Sequence, residues 1–431
     1  MKSEEIIKRG DTVIVLDVRL DNIYAFRNFH LNLTYPKKIV GSCIEDEHLA
    51  ERPNFRYKKV NIIMGANASG KTTLGHALMY IFNFLSKKSY EKFTEIISDQ
   101  GKEASFALDI AFPSNCFYRI NCKITPCTEG KYTPDNFSLS VQKERIHTKD
   151  SYESCVKRIE ETQYIPERDY LRELEKLEGL GWLFEYPEDN DCVLDLPDKD
   201  DRFRLVLENI LKALDPSIKA VDISQEVEKT YIVRIPDNPV ILQDGKKIDS
   251  NKLSSGTKAG VKIALLVASL KEGKHGFYYC DEKFPYIHSD IEKAILSLMI
   301  DCLKPNDQLF FTTHNTDILD MNLPKHTYSF LRKDVDNVAC PITCIDASSV
   351  LKRNTDSLKN AVENDMFSSA PALELIYDIA DFLIPEVAAM RNRNLLYLVE
   401  GDDEKKLVNT LKNSMGLIHP GKVQKTKCNR M

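Results

Sequence analysis

Apolar and polar positions alternate through residues 12–34, in Val13-Ile14-Val15-Leu16 and again in Phe29-His30-Leu31-Asn32-Leu33, which predicts two early strands. Residues 36–56, with Pro36, Gly41, Pro53 and mixed charge, form a surface excursion. Val60-Asn61-Ile62-Ile63-Met64 is a short apolar run that stops at Gly65, and a helical period follows from about Thr72 to Leu85. Three further β-like runs cover Ser105–Phe112, Phe117–Ile124 and Phe137–Val141. Residues 148–215 change character: they are charge-rich and helical (Glu173-Leu174-Glu175-Lys176-Leu177-Glu178), interrupted by the acidic loop Pro187-Glu188-Asp189-Asn190-Asp191. Their heptads do not persist over three or four repeats, so any arm here is short.

A second ordered block runs from 250 to 316. A helix from Ala259 to Lys271 is apolar on most faces, as a buried helix is. The strand Phe277-Tyr278-Tyr279-Cys280 follows, then a helix, then the strand Gln308-Leu309-Phe310-Phe311-Thr312-Thr313. Residues 327–346 pattern as a closing hairpin and 356–390 as helix. Leu395-Leu396-Tyr397-Leu398-Val399 is one more buried strand with a helix behind it, and the tail from Lys422 to Met431 shows no strand pattern.

Composition narrows the class. At 42% hydrophobic and 29% charged residues, with 17 Gly and 18 Pro in 431, the chain forms cores and is neither disordered nor low-complexity. The net charge of −6 excludes a polycation that coats nucleic acid, and no run of 18 apolar residues marks a membrane span. The opening Met1-Lys2-Ser3-Glu4-Glu5 has no apolar signal region. Eleven cysteines occur singly, without a Cys-x-x-Cys pair, so reduced thiols packing as small hydrophobes are expected, and with them the cytoplasm.

Gly65-Ala66-Asn67-Ala68-Ser69-Gly70-Lys71-Thr72 matches the phosphate-loop pattern in full, between an apolar run and a helical period. Its backbone N–H groups and the helix start suit phosphates, with Thr73 also against the nucleotide; Lys71 reaches the terminal phosphates and the Thr72 hydroxyl binds Mg²⁺. Asp281-Glu282 ends an apolar strand, which suits Asp281 to a Mg²⁺ contact and Glu282 to polarising an attacking water. Leu253-Ser254-Ser255-Gly256-Thr257 opens a buried helix and forms a second anion-binding start, or an ordinary serine cap. His314 stands at a strand end where it can face a ligand crevice.

The order phosphate loop, Leu-Ser-Ser-Gly, acid pair, histidine resembles the ABC-type ATPase heads of SMC proteins, RecF-like repair ATPases and the OLD (overcoming-lysogenization-defect) family. Within that group it looks closest to short-armed OLD-like ATPases of bacterial anti-phage systems. The carriers are Asn-Ala-Ser-Gly-Lys-Thr in the loop, Thr-Thr-His-Asn-Thr-Asp at 312–317 and the segment Asn22–Phe29. The resemblance implies an α/β head: a mixed sheet with a phosphate-loop core and an antiparallel β part, a short helical arm, and a TOPRIM-like fragment. The expected organisation is 1–147 and 216–390 as the two ATPase lobes, 148–215 as the arm, and 391–431 as the TOPRIM-like start and basic tail.

It further implies ATP and Mg²⁺ as ligands, Ser254, Ser255 and Gly256 completing the site of a second copy, and His314 as switch histidine. Gln100 or Gln142 would supply the glutamine contact to the metal, and Asp290 is a candidate for the dimer contact. Ser255-Gly256 stands where the family usually has Gly-Gly. Val399-Glu400-Gly401 resembles the first TOPRIM motif, with Glu400 as its metal carboxylate. No later Asp-x-Asp follows, and nuclease activity in this chain is not expected. The expected partners are a second copy of the chain and a separate nuclease or toxin effector, with DNA binding open and no membrane association. A DNA-repair ATPase of RecF or SMC type, and the ATPase part of a truncated OLD nuclease, are the competing readings.

Overall fold

The computed structural model describes residues 12–39, 41–127, 130–187, 189, 192–236, 239–248, 253–282, 284, 287–353, 356–367, 374–383, 396–399, 406–409 and 422–425. The chain divides into two compact units, Met1–Asp356 and Ser357–Met431. In the first, β1 (Ile14–Asp21) and β2 (Phe29–Asn32) pair antiparallel and precede a small hairpin, β3 (His48–Leu49) and β4 (Arg52–Arg56). Then come β5 (Val60–Met64), α1 (Lys71–Lys87), α2 (Glu91–Thr94) and the antiparallel strands β6 (Ala104–Phe112), β7 (Cys116–Ile124) and β8 (Phe137–Arg145). The stretch expected as a charged arm holds α3 (Tyr152–Glu161), α4 (Tyr170–Leu174) and α5 (Asp201–Leu214), but also a strand, β9 (Trp182–Glu185).

A three-stranded sheet, β10 (Ala220–Ile223), β11 (Thr230–Arg234) and β12 (Val240–Gln243), leads to α6 (Ser255–Glu272). The unit closes with β13 (Phe277–Asp281), α7 (Ser289–Cys302), β14 (Gln308–Thr312), the hairpin β15 (Tyr328–Lys333) and β16 (Ile342–Asp346), and α8 (Ala347–Val350). The second unit contains α9 (Leu358–Glu363), α10 (Glu374–Leu383), β17 (Leu396–Val399) and β18 (Lys422–Lys425). β18 runs parallel to β17, which corrects the expectation of a strandless tail: Lys422-Val423-Gln424-Lys425 is too short and too basic to show an apolar run. Glu400 lies outside the described residues.

Two sheets position the site. One has the order β2-β1-β6-β7-β8 and is antiparallel throughout; the other has the order β16-β15-β5-β14-β13-β9. In the second, β15, β5, β14, β13 and β9 are mutually parallel and only the edge strand β16 is antiparallel. All five residues of β5, β13 and β14 are buried, as central parallel strands covered on both faces require. Helix α1 presents Leu74, Leu78, Ile81, Phe82 and Leu85 to a single core shared with Val18, Leu108, Ile120 and Val141 of one sheet and Ile63, Phe277, Tyr279 and Phe310 of the other. The phosphate-loop helix is therefore the filling between two sheets.

A buried amide fastens those sheets together. Gln308, at the start of β14, donates through Nε2 to the carbonyls of Val15 and Lys58, both at 3.0 Å, and accepts from Val15 N at 2.9 Å. It does so where the β1–β6 register shifts between Val15 and Asp17, so one side chain satisfies backbone groups that the irregular ladder leaves over.

Candidate nucleotide site

The loop between β5 and α1 is closely wrapped. A methyl on Gly65 would lie 2.5 Å from the Leu331 carbonyl oxygen and 2.6 Å from Ser69 Oγ, and Gly70 holds φ +106° at the helix N-cap. A side chain at Gly65 would have to displace backbone, and one at Gly70 would be held in a left-handed conformation that favours glycine. α3, α5, α6 and α7 are capped by Ser151, Asp200, Ser254 and His288, whereas α1 has neither a side-chain cap nor an acidic residue in its first turn. The positive end of this 17-residue helix thus carries no side-chain cap and no carboxylate in its first turn, an arrangement suited to an anion. The Ser69 hydroxyl is buried in the same loop without a hydrogen-bond partner.

Lys71 is the first residue of α1, and its ammonium turns back over the loop. Nζ donates to the carbonyls of Gly65 (2.8 Å) and Ala66 (3.2 Å) and lies 3.1 Å from Glu282 Oε1. Behind it the Tyr279 hydroxyl donates to the Lys71 carbonyl at 2.7 Å, and burial pushes that phenol well above its ordinary pKa. Thr72 Oγ1 donates to Asp281 Oδ2 at 2.7 Å, and Thr312 Oγ1 donates to Asp281 Oδ1 at 2.6 Å. Burial raises the Asp281 carboxyl above the usual carboxylate range, and the two hydroxyls pull it the other way.

Glu282 follows immediately, with φ +34°, a left-handed conformation that non-glycine residues rarely adopt. Its N–H is held by the Thr312 carbonyl (3.2 Å) and hydroxyl (3.1 Å). The turn sends one carboxylate oxygen toward Lys71 and the other to within 3.8 Å of His314 Nδ1. Because β5, β13 and β14 are parallel, Gly65, Asp281-Glu282 and Thr313-His314 emerge at one edge of the sheet, the edge where open α/β sheets take ligands.

Most of the sequence-derived residues come together here: Gly65 to Thr72, Asp281, Glu282 and His314. Ser254 sits elsewhere in its own hydrogen-bond system, its hydroxyl accepting from Thr257 N at 3.1 Å as the cap of α6, with Ser254 and Ser255 exposed. Gln142 does not join the metal residues. It lies on β8 on the side opposite Val141, which faces α1, and lines a cavity of about 410 Å³ with Asp17, Asp109 and Arg119. Gln100 lies in a turn, where its carbonyl accepts from Cys127 N.

Four contributors escaped the sequence reading. Tyr279 and Thr312 brace Lys71 and Asp281, and Glu292 braces the loop around His314. Strand β9 is the fourth: it pairs with β13 in the register Glu185 to Cys280, so its end joins the ligand edge, and Tyr186 packs its ring 4.4 Å from that of His76 on α1. The aromatic run Trp182-Leu183-Phe184 between Gly181 and Pro187 was the available signal, submerged in a charge-rich stretch.

The donor set fits a magnesium nucleotide. Thr72 and Asp281 offer hard oxygen ligands, and Mg²⁺ is commonly held by one or two protein oxygens together with phosphates rather than in an all-protein cage. Among the described residues no group of three or more His, Cys, Asp or Glu side chains forms a metal site of its own, and no helix is long and apolar enough to cross a membrane.

No family model matches the chain, and no curated protein matches it. Several solved structures are similar. An Smc head bound to the C-winged helix domain of ScpA shares 13% identity, covers 79% of this chain and 99% of its own, and gives a TM-score of 0.45. The Smc head domain with an extended coiled coil bound to the C-terminal domain of ScpA, from Pyrococcus furiosus, shares 11%, covers 79% and 98%, and gives 0.46. The recombination mediator protein RecF shares 11%, covers 78% and 99%, and gives 0.39.

Proposed function

We propose that this chain is an ABC-type ATPase head that binds and hydrolyses ATP and works as a nucleotide-driven dimerisation switch. The observation that carries this is the convergence of Lys71, Thr72, Asp281, Glu282 and His314 at one sheet edge, through the contacts Thr72–Asp281–Thr312 and Lys71–Glu282. Thr72 and Asp281 would hold Mg²⁺, which when bound neutralises charge on the phosphate oxygens. Lys71 neutralises the terminal phosphates, and the uncapped start of α1 binds the remainder. Glu282 takes the proton of the attacking water, and His314, its ring 3.8 Å from Glu282 Oε2, steadies the transferring group.

The exposed Ser254 and Ser255, outside the hydrogen-bonding of the phosphate loop, support a site that a second copy completes. The motif resemblance further supports an OLD-like role in bacterial anti-phage defence, with this head controlling a separate nuclease or toxin in the cytoplasm. MgATP turnover tests the proposal. Lys71→Ala is expected to lose nucleotide binding, while Glu282→Gln keeps binding and loses about 10²–10⁴-fold in turnover, the range for a general base. Equal turnover in wild type and Glu282→Gln would sink the assignment. Strong stimulation of turnover by DNA would move the role to the RecF- and SMC-like repair reading.

A further inference from the structure

We propose that Glu292 is the positioning residue for His314 during hydrolysis, an inference that rests on the reading of the site given above. Glu292 lies in the first turns of α7, only 4% exposed, and burial raises its carboxyl above the usual range. A buried carboxylate is costly unless each oxygen is hydrogen-bonded, and here both are, to the two residues that flank His314. Thr313 Oγ1 donates to Oε1 at 3.0 Å, and Asn315 Nδ2 donates to Oε2 at 2.6 Å.

The clamp is closed on itself. Asn315 N donates to Thr313 Oγ1 at 3.0 Å, and Asn315 Oδ1 accepts from Asp317 N at 3.0 Å, which fixes which way the Asn315 amide faces. His314, by contrast, is exposed, and the contact of its ring is the 3.8 Å approach of Nδ1 to Glu282 Oε2. Glu282, Phe284, Glu292 and His314 line a cavity of about 260 Å³, so the imidazole borders open space. What aims the ring at the nucleotide edge is therefore the chain at 313–315, and Glu292 holds it through the side chains of Thr313 and Asn315, one on each side of His314. The clamp also ties α7, which follows the acid pair, to the end of β14, so the two halves of the catalytic edge keep a common frame.

The test is steady-state MgATP hydrolysis with a parallel affinity measurement using a fluorescent ATP analogue, on His314→Ala, Glu292→Gln, Glu292→Gln/His314→Ala and Glu292→Gln/Asn315→Asp. Glutamine breaks the clamp either way round: with Oε1 on Thr313 its N–H₂ meets that of Asn315, and turned over it meets Thr313 Oγ1 as a second donor beside Asn315 N and leaves the hydroxyl proton without its acceptor. Its kcat is expected to fall roughly ten- to a hundredfold, the scale of a small misplacement of a reacting group, while nucleotide affinity stays within about twofold. Adding Glu292→Gln to His314→Ala should cost nothing more. Adding Asn315→Asp to Glu292→Gln re-forms the bond with donor and acceptor exchanged, and should recover most of the lost kcat.

Unchanged kcat in Glu292→Gln, multiplicative losses in the variant with His314→Ala, or no recovery in the exchanged pair would each overturn the positioning role. If His314→Ala itself turns over like wild type, the reading of the site fails, and the role of Glu292 with it.

Discussion

Gly75 has no room for a side chain. A methyl there would come within 2.6 Å of the Tyr279 ring, whose hydroxyl braces the Lys71 carbonyl. Gly75→Ala is accordingly expected to destabilise by about 1–3 kcal/mol, read as a lower Tm, and to weaken nucleotide binding with it. Gly260→Ala makes the useful contrast. Its methyl meets the flexible end of Leu214 at 2.5 Å, and alanine gains about 1 kcal/mol of helix propensity, so its Tm should stay near that of wild type. Glu292 adds a pH signature. Its folded carboxyl titrates above the unfolded value, so its contribution to stability is fully present below the unfolded pKa and is lost as pH rises through the folded one. The Tm of wild type minus that of Glu292→Gln should therefore grow as pH falls from 7 toward 4. A flat difference would contradict the burial argument. Gly65 to Thr72, Asp281 and Glu282 were legible in the sequence because adjacent residues carry the chemistry. Tyr279, Thr312 and Glu292 were not, because their roles depend on which strands lie side by side.

Helix α6 shows how one residue serves two scales. Ser254 caps it, accepting from Thr257 N, and stands exposed at the start of the segment expected to meet a second copy. Removing the cap in Ser254→Ala should cost about 1 kcal/mol. Ser254→Asp caps equally well but sets a negative charge toward any phosphate of a partner's nucleotide. It is expected to melt like wild type and to fail in ATP-dependent association, and association at wild-type strength would exclude the trans contact. Among the elements, β5, β13 and β14 were readable as bounded apolar runs, α1 from its helical period, and α6 as a helix apolar on most faces. β9 was hidden because an edge strand of four residues lies among helices rich in charge. β18, also four residues, has an alternation too short to register.

At the scale of the molecule, α1 lies between an antiparallel sheet and a largely parallel one, and the Gln308 amide joins the two. β14 thus runs from that amide to Thr312, whose hydroxyl donates to Asp281. The phosphate loop and the Leu-Ser-Ser-Gly segment belong to one compact unit yet keep separate hydrogen-bond systems, which is the arrangement a head needs if its site closes only against another copy. The most direct test is the solution mass of wild type, Glu282→Gln and Lys71→Ala, each with and without MgATP, by light scattering. MgATP is expected to double the mass, most completely in Glu282→Gln, and to leave Lys71→Ala unchanged. A mass indifferent to ATP in Glu282→Gln, while nucleotide still binds, would contradict the dimerisation switch.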